Sequence, residues 1–382
     1  MAELGLYIHL PFCPSRCPYC DFTAQVFAPG LARGLLEDLA WHLRREAPRA
    51  GGRPLASVYL GGGTPSLWPA AALSGLLDAV RANLDLEPAA EISLEANPGT
   101  LSAGKLDRLA AAGFNRLSLG AQTFHAPLLT RLGRRHTPAD TRRAAAQARR
   151  AGFGNLSLDL IYGLPGQSLE QFRLDLDEAL ALEPEHLSLY ELTLGPDTPW
   201  GRQMKRGRPP LPSEAEVLAM EDAAEGALAA AGLERYEVSN FARPGRACRH
   251  NQATWRGEDY LGLGPGAHGH LSGVRWAWTG DVAAYRAALA WGEDPPAWRE
   301  DLTPAQRALE LVMLGLRTTA GVDLAALGRV LGADPREYFA EALDLASLQG
   351  WVVVTQNRIL PTSPGLRFAD RAAGLFADAC DD

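Results

Sequence analysis

The feature that most constrains the fold is the alternation of short apolar runs with longer helical patterns between residue 1 and about residue 240. Short runs rich in leucine, β-branched and aromatic residues are typical of buried strands. Successive runs lie roughly 20 to 45 residues apart, enough for a crossover helix, so the strands should pair in parallel. The alternation therefore predicts an α/β fold with six βα units. The predicted strands cover residues 4–10, 55–60, 91–95, 116–119, 156–161 and 186–192.

Polar and glycine-rich motifs follow four of the predicted strands. An open doubly wound sheet and a barrel both accommodate six βα units, but residues from many strand ends converge on one point most naturally in a barrel. We therefore expect a partial (β/α)6 barrel. The motifs are Gly61-Gly62-Gly63-Thr64-Pro65, Glu95-Ala96-Asn97-Pro98, Gly120-Ala121-Gln122 and the run from Asp159 to Pro165. The predicted crossover helices include 69–83, 140–151 with Asp140 as N-cap and Gly152 past its end, and 169–182.

Three cysteines near the start, Cys13, Cys17 and Cys20, have the spacing C-x3-C-x2-C. Thiolates are soft ligands suited to iron-sulfur clusters, and three of them can hold three irons of a 4Fe-4S cube and leave the fourth open. A structural zinc site is the weaker alternative, because it normally has four protein ligands and Cys248 and Cys380 stand alone. A disulfide framework is disfavoured, since three neighbouring cysteines cannot all pair.

Composition limits the classes of function. The chain has 382 residues with 47% hydrophobic content, which is enough for a large core and two domains. Its formal net charge of −8 argues against general nucleic-acid binding, which depends on lysine and arginine. We find neither a secretory signal peptide nor an apolar run of membrane-spanning length. The sequence thus predicts a cytoplasmic protein in a reducing compartment, with peripheral membrane association as an alternative.

The composition and periodicity of the sequence change beyond residue 240. The segment 257–280 is rich in Gly, Trp and His and has little periodicity. We therefore expect residues 241–302 to form an irregular connection between a barrel domain at 1–240 and a C-terminal domain at 303–382.

The C-terminal domain has clear helix signals. Thr303-Pro304-Ala305-Gln306 combines an N-cap, a proline at N1 and a capping box, Asp334-Pro335 begins a second helical segment, and residues 351–361 are typical of a hairpin. This pattern resembles a winged-helix module. The domain has seven arginines, no lysine and ten carboxylates, which gives it a net charge of −3. A DNA-binding domain would normally have a basic face. We therefore favour packing or partner docking over DNA binding.

The cysteine spacing and the aromatic residues after it resemble the signature of radical S-adenosylmethionine (SAM) enzymes. In that superfamily the cysteines hold a 4Fe-4S cluster whose open iron binds the amino and carboxylate groups of SAM, and the protein orients the cofactor. SAM needs a carboxylate near its positive charges, a guanidinium for its carboxylate and acceptors for its ribose hydroxyls. The residues assigned to SAM are Gly62, Gly63, Thr64, Glu95, Gln122, Arg134 and Asp159, and the resemblance adds Tyr7 and Tyr19 beside the cluster.

Each of these assignments has a structural alternative. The glycine run would also suit a tight βα turn. Arg134 and Arg135 would also suit a solvated helix face, and Asp159 would suit an N-cap or a buried turn acceptor. Taken singly these alternatives carry weight, but convergence on one face of the molecule favours the binding site.

A narrower resemblance covers nearly the whole chain. Five motifs together resemble the HemN/HemW family, which contains the oxygen-independent coproporphyrinogen III dehydrogenase and a haem-binding relative regarded as a haem chaperone. The motifs lie at residues 7–13, 61–66, 120–124, 159–167 and 236–241. The resemblance implies a curved six-stranded partial barrel.

Two departures point to the HemW branch of that family. The dehydrogenase has a further cysteine two places after the third cluster ligand, where this chain has Phe22, and a longer segment ahead of the motif than the 12 residues that precede Cys13. The branch implies a haem chaperone that uses haem and haem-acceptor proteins as partners and lacks the dehydrogenase activity. The alternatives are a radical enzyme that decarboxylates coproporphyrinogen III and, more remotely, a DNA-binding cluster sensor. The sequence leaves homodimer formation open.

The haem ligand is predicted from residues 248–255, which resemble the HNxxYW element of that branch. His250 is the predicted axial ligand, because imidazole commonly binds haem iron. Thr254 stands where the element has tyrosine, so any role of that phenol is absent or met by Tyr260. A loop histidine with a simple hydrogen bond is the alternative for His250. The rival ligands are His268, His270 and the thiol of Cys248.

Overall fold

The computed structural model describes residues 4–204, 210–295 and 297–377. The strands are β1 (Leu4–Leu10), β2 (Phe12–Cys13), β3 (Gln25–Val26), β4 (Leu55–Gly62), β5 (Leu86–Ala96), β6 (Arg116–Gln122), β7 (Leu156–Tyr162), β8 (His186–Glu191), β9 (Glu234–Arg235), β10 (Asn240–Ala242), β11 (Asp259–Leu263), β12 (His268–Leu271), β13 (Val274–Trp278), β14 (Ala297–Asp301), β15 (Val322–Asp323), β16 (Val352–Val354) and β17 (Arg358–Pro361). The α-helices are α1 (Pro29–Ala32), α2 (Leu35–Glu46), α3 (Ala70–Asn83), α4 (Ala103–Ala112), α5 (Ala126–Arg131), α6 (Pro138–Arg150), α7 (Leu169–Leu180), α8 (Pro199–Met204), α9 (Glu214–Ala230), α10 (Arg249–Trp255), α11 (Val282–Ala290), α12 (Pro304–Gly315), α13 (Leu324–Leu331), α14 (Pro335–Tyr338), α15 (Ala340–Leu348), α16 (Ser363–Arg367) and α17 (Ala369–Gly374).

The six predicted strands are confirmed as β1, β4, β5, β6, β7 and β8, which lie in this order and pair in parallel. They belong to a 12-stranded mixed sheet, ordered β14-β13-β12-β11-β1-β4-β5-β6-β7-β8-β10-β9, which is open rather than closed. The expectation of a partial barrel is therefore confirmed, with strands added at both edges.

The two faces of the parallel strands differ in polarity, and β1 shows this clearly. Leu4, Leu6 and Ile8 alternate along β1 and are 0% exposed within the core that the helices cover. Burying each such side chain contributes roughly 1.5–3 kcal/mol. Tyr7 and His9 alternate with them and therefore face the inner side of the sheet. The inner side is consequently available for polar groups.

The crossover helices confirm the predicted positions with one correction. Helix α6 begins after Thr137, whose side chain caps the Asp140 N–H, while Asp140 is the third helical residue of the capping box. Asp140 is therefore wrong as N-cap, because the first helical residue is Pro138 and a proline suits that position. Gly152 follows α6 with a φ of 96°, as the predicted helix end requires.

The expectation that residues 241–302 are irregular is wrong. Strand β11 pairs in parallel with β1, and β12, β13 and β14 extend the sheet in antiparallel fashion. Trp276 and Trp278 are 3% and 7% exposed and join the main core. The strands are short and interrupted by glycine, so their periodicity is weak in the sequence.

The C-terminal residues have a second hydrophobic core of their own, with members from Ala308 to Phe376. Helix α12 has the predicted capping box of Thr303 and Gln306. The predicted hairpin is β16 with β17, and β15 adds a third strand. Within the described ranges, no helix is both long and apolar enough to cross a bilayer.

Candidate functional site

A cavity of about 660 Å³ lies at the carboxyl ends of the parallel strands. The loop between β2 and β3 forms one wall, and the ends of β4 to β8 form the others. Ligand sites occur where strand ends meet in α/β proteins. The structure brings together here the predicted residues Cys13, Cys17, Tyr19, Cys20, Gly62, Gly63, Thr64, Glu95, Gln122, Arg134 and Asp159.

The three cysteines are free thiols, each half-buried in the cavity wall. The Thr64 hydroxyl donates to Cys13 Sγ at 3.5 Å, and burial raises the pKa of the Cys13 and Cys20 thiols. Bound iron would remove those thiol protons, since the thiolate is the ligand.

The donor set fits an iron-sulfur cluster better than a single ion. Three soft thiolates from one loop suit three irons of a cube, whereas a structural zinc site normally has four protein ligands.

Glu95, at the end of β5, is the carboxylate nearest the glycine run. Tyr59 Oη donates to Glu95 Oε1 at 2.8 Å, and the Gly62 N–H donates to Oε2 at 3.1 Å. Burial raises the pKa of Glu95 to about 7, against the lowering effect of these hydrogen bonds. A positively charged ligand in the cavity would favour the ionised carboxylate.

Asp159, on β7, is a second, half-buried acid in the cavity wall. Ser118 Oγ donates to both carboxylate oxygens, at 3.0 and 3.2 Å, and burial raises the pKa of the Asp159 carboxyl. Asp159 lies inside strand β7, so the alternatives of an N-cap or a turn acceptor do not apply to it.

Arg134 supplies the cationic side of the cavity. Its Nη2 donates to Tyr19 Oη at 2.9 Å, while its Nε is buried and has no hydrogen-bond partner among the described residues. A buried guanidinium N–H without an acceptor suits the carboxylate of an amino-acid ligand. Tyr19 is itself fixed by this contact and packs 6.0 Å from the Trp200 ring.

The glycine run is needed for packing as well as for access. A Cβ on Gly62 would lie 2.6 Å from His9 Cε1, and one on Gly63 would lie 2.7 Å from the Phe12 carbonyl oxygen. Gly62 also has a φ of 108°. The predicted tight turn and the predicted ligand contact are therefore compatible, because both glycines also line the cavity.

Tyr7 and His250 do not line the cavity. The Tyr7 hydroxyl bonds to His9 Nδ1 at 2.9 Å, and the His250 ring stacks 5.3 Å from Tyr59 with its Nδ1 3.1 Å from Ser57 Oγ. Both side chains lie below the cavity on the inner side of the sheet. Their predicted contacts with SAM and haem stay predictions.

We call the polar side chains below the cavity the buried layer. Cys248 Sγ donates to Glu91 Oε1 at 3.3 Å, and burial raises the pKa of this thiol to about 12. Burial, followed by the charge of Arg116, lowers the pKa of His250 to about 4. A protonated thiol and a neutral, stacked imidazole are both uncharged, which suits a role in packing the protein interior. The members of the buried layer are Ser57, Glu91, Arg116, Cys248 and His250.

Two residues at the site were missed from the sequence. Arg116 is 2% exposed at the start of β6, and the alternation Arg116-Leu-Ser118-Leu in β6 is a signal that would have placed it on the inner face.

The second missed residue, Asp175 on α7, accepts hydrogen bonds from Thr123 Oγ1 at 2.9 and 2.8 Å and from the Phe124 N–H at 2.5 Å. These residues follow Gln122, which holds a φ of 68° that is unusual for a residue with a side chain. Asp175 therefore fixes the turn that presents Gln122 to the cavity.

Comparison with known proteins gives a consistent result. The profile of the radical SAM superfamily matches residues 7–179, and the HemN C-terminal domain matches residues 302–368. The chain is 35% identical to the haem chaperone HemW of Bacillus subtilis (strain 168) over 97% of this chain and 98% of that protein. The chain belongs to the HemW family of radical SAM proteins. A HemW of Escherichia coli (strain K12) is 43% identical over 71% of each chain.

The solved structure of coproporphyrinogen III oxidase (HemN) from Escherichia coli, a radical SAM enzyme, is similar over 98% of this chain and 90% of its own length. The TM-score is 0.86 at 27% sequence identity. The radical SAM family implies a 4Fe-4S cluster and SAM, and the cavity residues have the chemistry for both. With SAM bound, such a cluster supplies electrons for reductive chemistry.

Proposed function

We propose that this protein is a haem chaperone that binds haem and transfers it to acceptor proteins. The observation that carries the proposal is the match to a haem chaperone along 97% of this chain, which includes the cavity and the C-terminal domain alike. The identity of Phe22 supports it, since the dehydrogenase pattern has a cysteine there.

We propose the following roles for the cavity residues. Cys13, Cys17 and Cys20 hold the cluster. Glu95 and Asp159 stabilise the positive charge and the hydroxyls of SAM, and Arg134 receives its carboxylate through the unpaired Nε. The glycine run exposes backbone groups to the same ligand. In this proposal the cofactors support haem transfer, and no tetrapyrrole is consumed.

A second function has a specific observation in its favour. The likeness to HemN, with a TM-score of 0.86, extends across both domains. A radical enzyme that decarboxylates coproporphyrinogen III would need the same cluster and SAM site. The two functions are separated by their substrates and products, because the chaperone returns haem unchanged.

The test is a pair of anaerobic assays on the cluster-loaded full chain. In the first, haem is titrated into the protein and then offered to an apo-haemoprotein, and we expect uptake of about one haem per chain followed by transfer. In the second, coproporphyrinogen III and SAM are supplied with a reductant, and we expect no decarboxylated product. Product formation together with SAM consumption would replace the chaperone by the enzyme.

Two further proposals concern location and assembly. We propose that the protein works in the cytoplasm with haem-acceptor proteins as its partners, and that it does not bind nucleic acid, in keeping with the net charge of −3 of residues 303–382. Retention on heparin at moderate salt would contradict the second point. Size-exclusion chromatography with light scattering, with and without haem, tests for a homodimer.

A further inference from the structure

A haem iron needs an imidazole that a large planar ring can reach, and the histidines of this chain differ in that respect. The chain has eight histidines, all within the described residues. His268, the first residue of β12, is the one that is exposed. The other seven are buried or half-buried: His9, His42, His125, His136, His186, His250 and His270.

The histidines also differ in their hydrogen bonds. The ring of each of the other seven makes at least one hydrogen bond within the protein. In the part of the chain that the structure describes, the His268 ring makes none. Burial, followed by the charge of Arg275, lowers the pKa of His268, so the imidazole is neutral and its lone pair is available at neutral pH.

His268 lies next to the loop that carries the cluster cysteines. Thr23 packs against the turn before β12, since a Cβ on Gly266 would lie 2.5 Å from Thr23 Cγ2. His9 Nε2 donates to the Thr23 carbonyl at 2.7 Å and fixes the loop from the opposite side. Phe22 immediately precedes Thr23, so it is brought close to the β12 turn.

Three apolar side chains in that loop and at the end of β3 after it are exposed, and we call them the cysteine-loop patch. Phe22, Val26 and Phe27 are 64%, 53% and 41% exposed. Adjacent exposed apolar side chains commonly mark a binding surface. Phe27 is held in place by the Phe12 and Trp68 rings, with centroids at 5.7 and 6.3 Å.

The loop carries both signs of charge beside the patch, Asp21 next to Phe22 and Arg16 earlier in the loop, and Arg16 is the group that would bind an acidic edge. Arg16 is exposed in the same loop and lines the cavity, and the structure of the described residues gives it no ion pair. Guanidinium groups bind carboxylates in two parallel hydrogen bonds. Haem combines an apolar plane, two carboxylates and an iron that accepts imidazole, which is the set of groups that this surface complements.

We propose that haem docks on the cysteine-loop patch, with the His268 imidazole as its axial ligand and Arg16 at its propionates. The inference rests on the proposed chaperone function and places the haem at the rim of the cofactor cavity, which Arg16 and Phe22 help to line. It differs from the sequence-based assignment of His250, which is 7% exposed and stacked between aromatic rings.

The test uses the cluster-loaded full chain under anaerobic conditions, titrated with haem. His268→Gly should lower haem affinity about tenfold or more and abolish the iron–imidazole stretching band in resonance Raman spectra of the ferrous form. Added imidazole should restore the band in this variant. Phe22→Ser should lower affinity several-fold but keep the band, because it removes apolar contact and leaves the ligand in place.

The matched variant is His250→Ala, for which we expect the wild-type band and affinity. Loss of the band in His250→Ala, or an unchanged band in His268→Gly, would overturn the inference while the chaperone function stands. Absence of haem uptake by the wild-type chain would refute both the proposed chaperone function and this inference.

Discussion

The inner side of the sheet holds two groups of polar side chains that look alike in the sequence and differ in their surroundings. Those at the strand ends, such as Glu95 and Gln122, line the cavity. Those of the buried layer one step below, such as Glu91 and Cys248, bond to each other and are closed off. The comparison teaches that position along a strand, rather than residue type, decides whether a polar group can meet a ligand.

The largest expected effect separates the two kinds of cysteine. Cys17→Ala should lower the iron and sulfide retained after anaerobic reconstitution about tenfold or more, because one of three cluster ligands is lost. Cys248→Ala should keep the full content, since its thiol lies in the buried layer and bonds to Glu91. The check is iron and acid-labile sulfide per chain. Loss of iron in Cys248→Ala would mean that the two groups are not separate.

The second prediction compares two arginines. Arg116→Met should destabilise the protein by about 1 to 3 kcal/mol, because the buried Glu91 carboxylate would lose a nearby positive charge. Arg16→Met should leave stability unchanged, since Arg16 is exposed. Urea unfolding followed by tryptophan fluorescence measures both. Equal midpoints for Arg116→Met and the wild type would show that the buried layer does not depend on that charge.

The third prediction concerns the pH dependence of SAM binding. Burial raises the pKa of Glu95 to about 7, so the carboxyl loses its proton as the pH rises through 7. Because SAM is positively charged, its affinity should be roughly tenfold higher at pH 8 than at pH 6. Equilibrium dialysis with the cluster-loaded protein measures this.

Glu95→Gln is the control for the pH dependence. Its SAM affinity should be lower than that of the wild type at pH 8 and nearly constant between the two pH values. A wild-type slope that persists in Glu95→Gln would assign the titration to another group of the cavity.

The smallest effect tests how the cavity is supported from outside. Asp175→Asn should weaken SAM binding by roughly fivefold, about one net hydrogen bond, because the turn after Gln122 loses charge-assisted contacts. Asp177→Asn, an exposed residue of the same helix, should leave binding unchanged. Identical SAM affinities in the two variants would remove Asp175 as a positioning residue.

Much of the site could be predicted because its parts are local in the sequence. The cysteine spacing lies within eight residues, and Gly62, Glu95 and Asp159 each mark the end or inner face of an apolar strand. Parallel strands bring their carboxyl ends together regardless of the helices that connect them. Arg134 was found through its chemistry, although its partner Tyr19 lies 115 positions away.

Other parts could not be predicted, since they depend on contacts between distant segments. Strand β11 becomes part of the parallel sheet by pairing with β1, although about 250 residues separate them. Asp175 acts on Thr123 across 52 positions. Neither contact leaves a local pattern that periodicity analysis detects.

The sequence by itself determined the parallel βα order, the thiol triad and the family to which the chain belongs, because strand periodicity and short-range spacing are properties of neighbouring residues. The tertiary structure alone decided that His250 is enclosed and His268 exposed, although the sequence offered both as candidate haem ligands. The physical reason is that burial is set by which distant elements pack over a side chain, here β1 and β4 beneath α10.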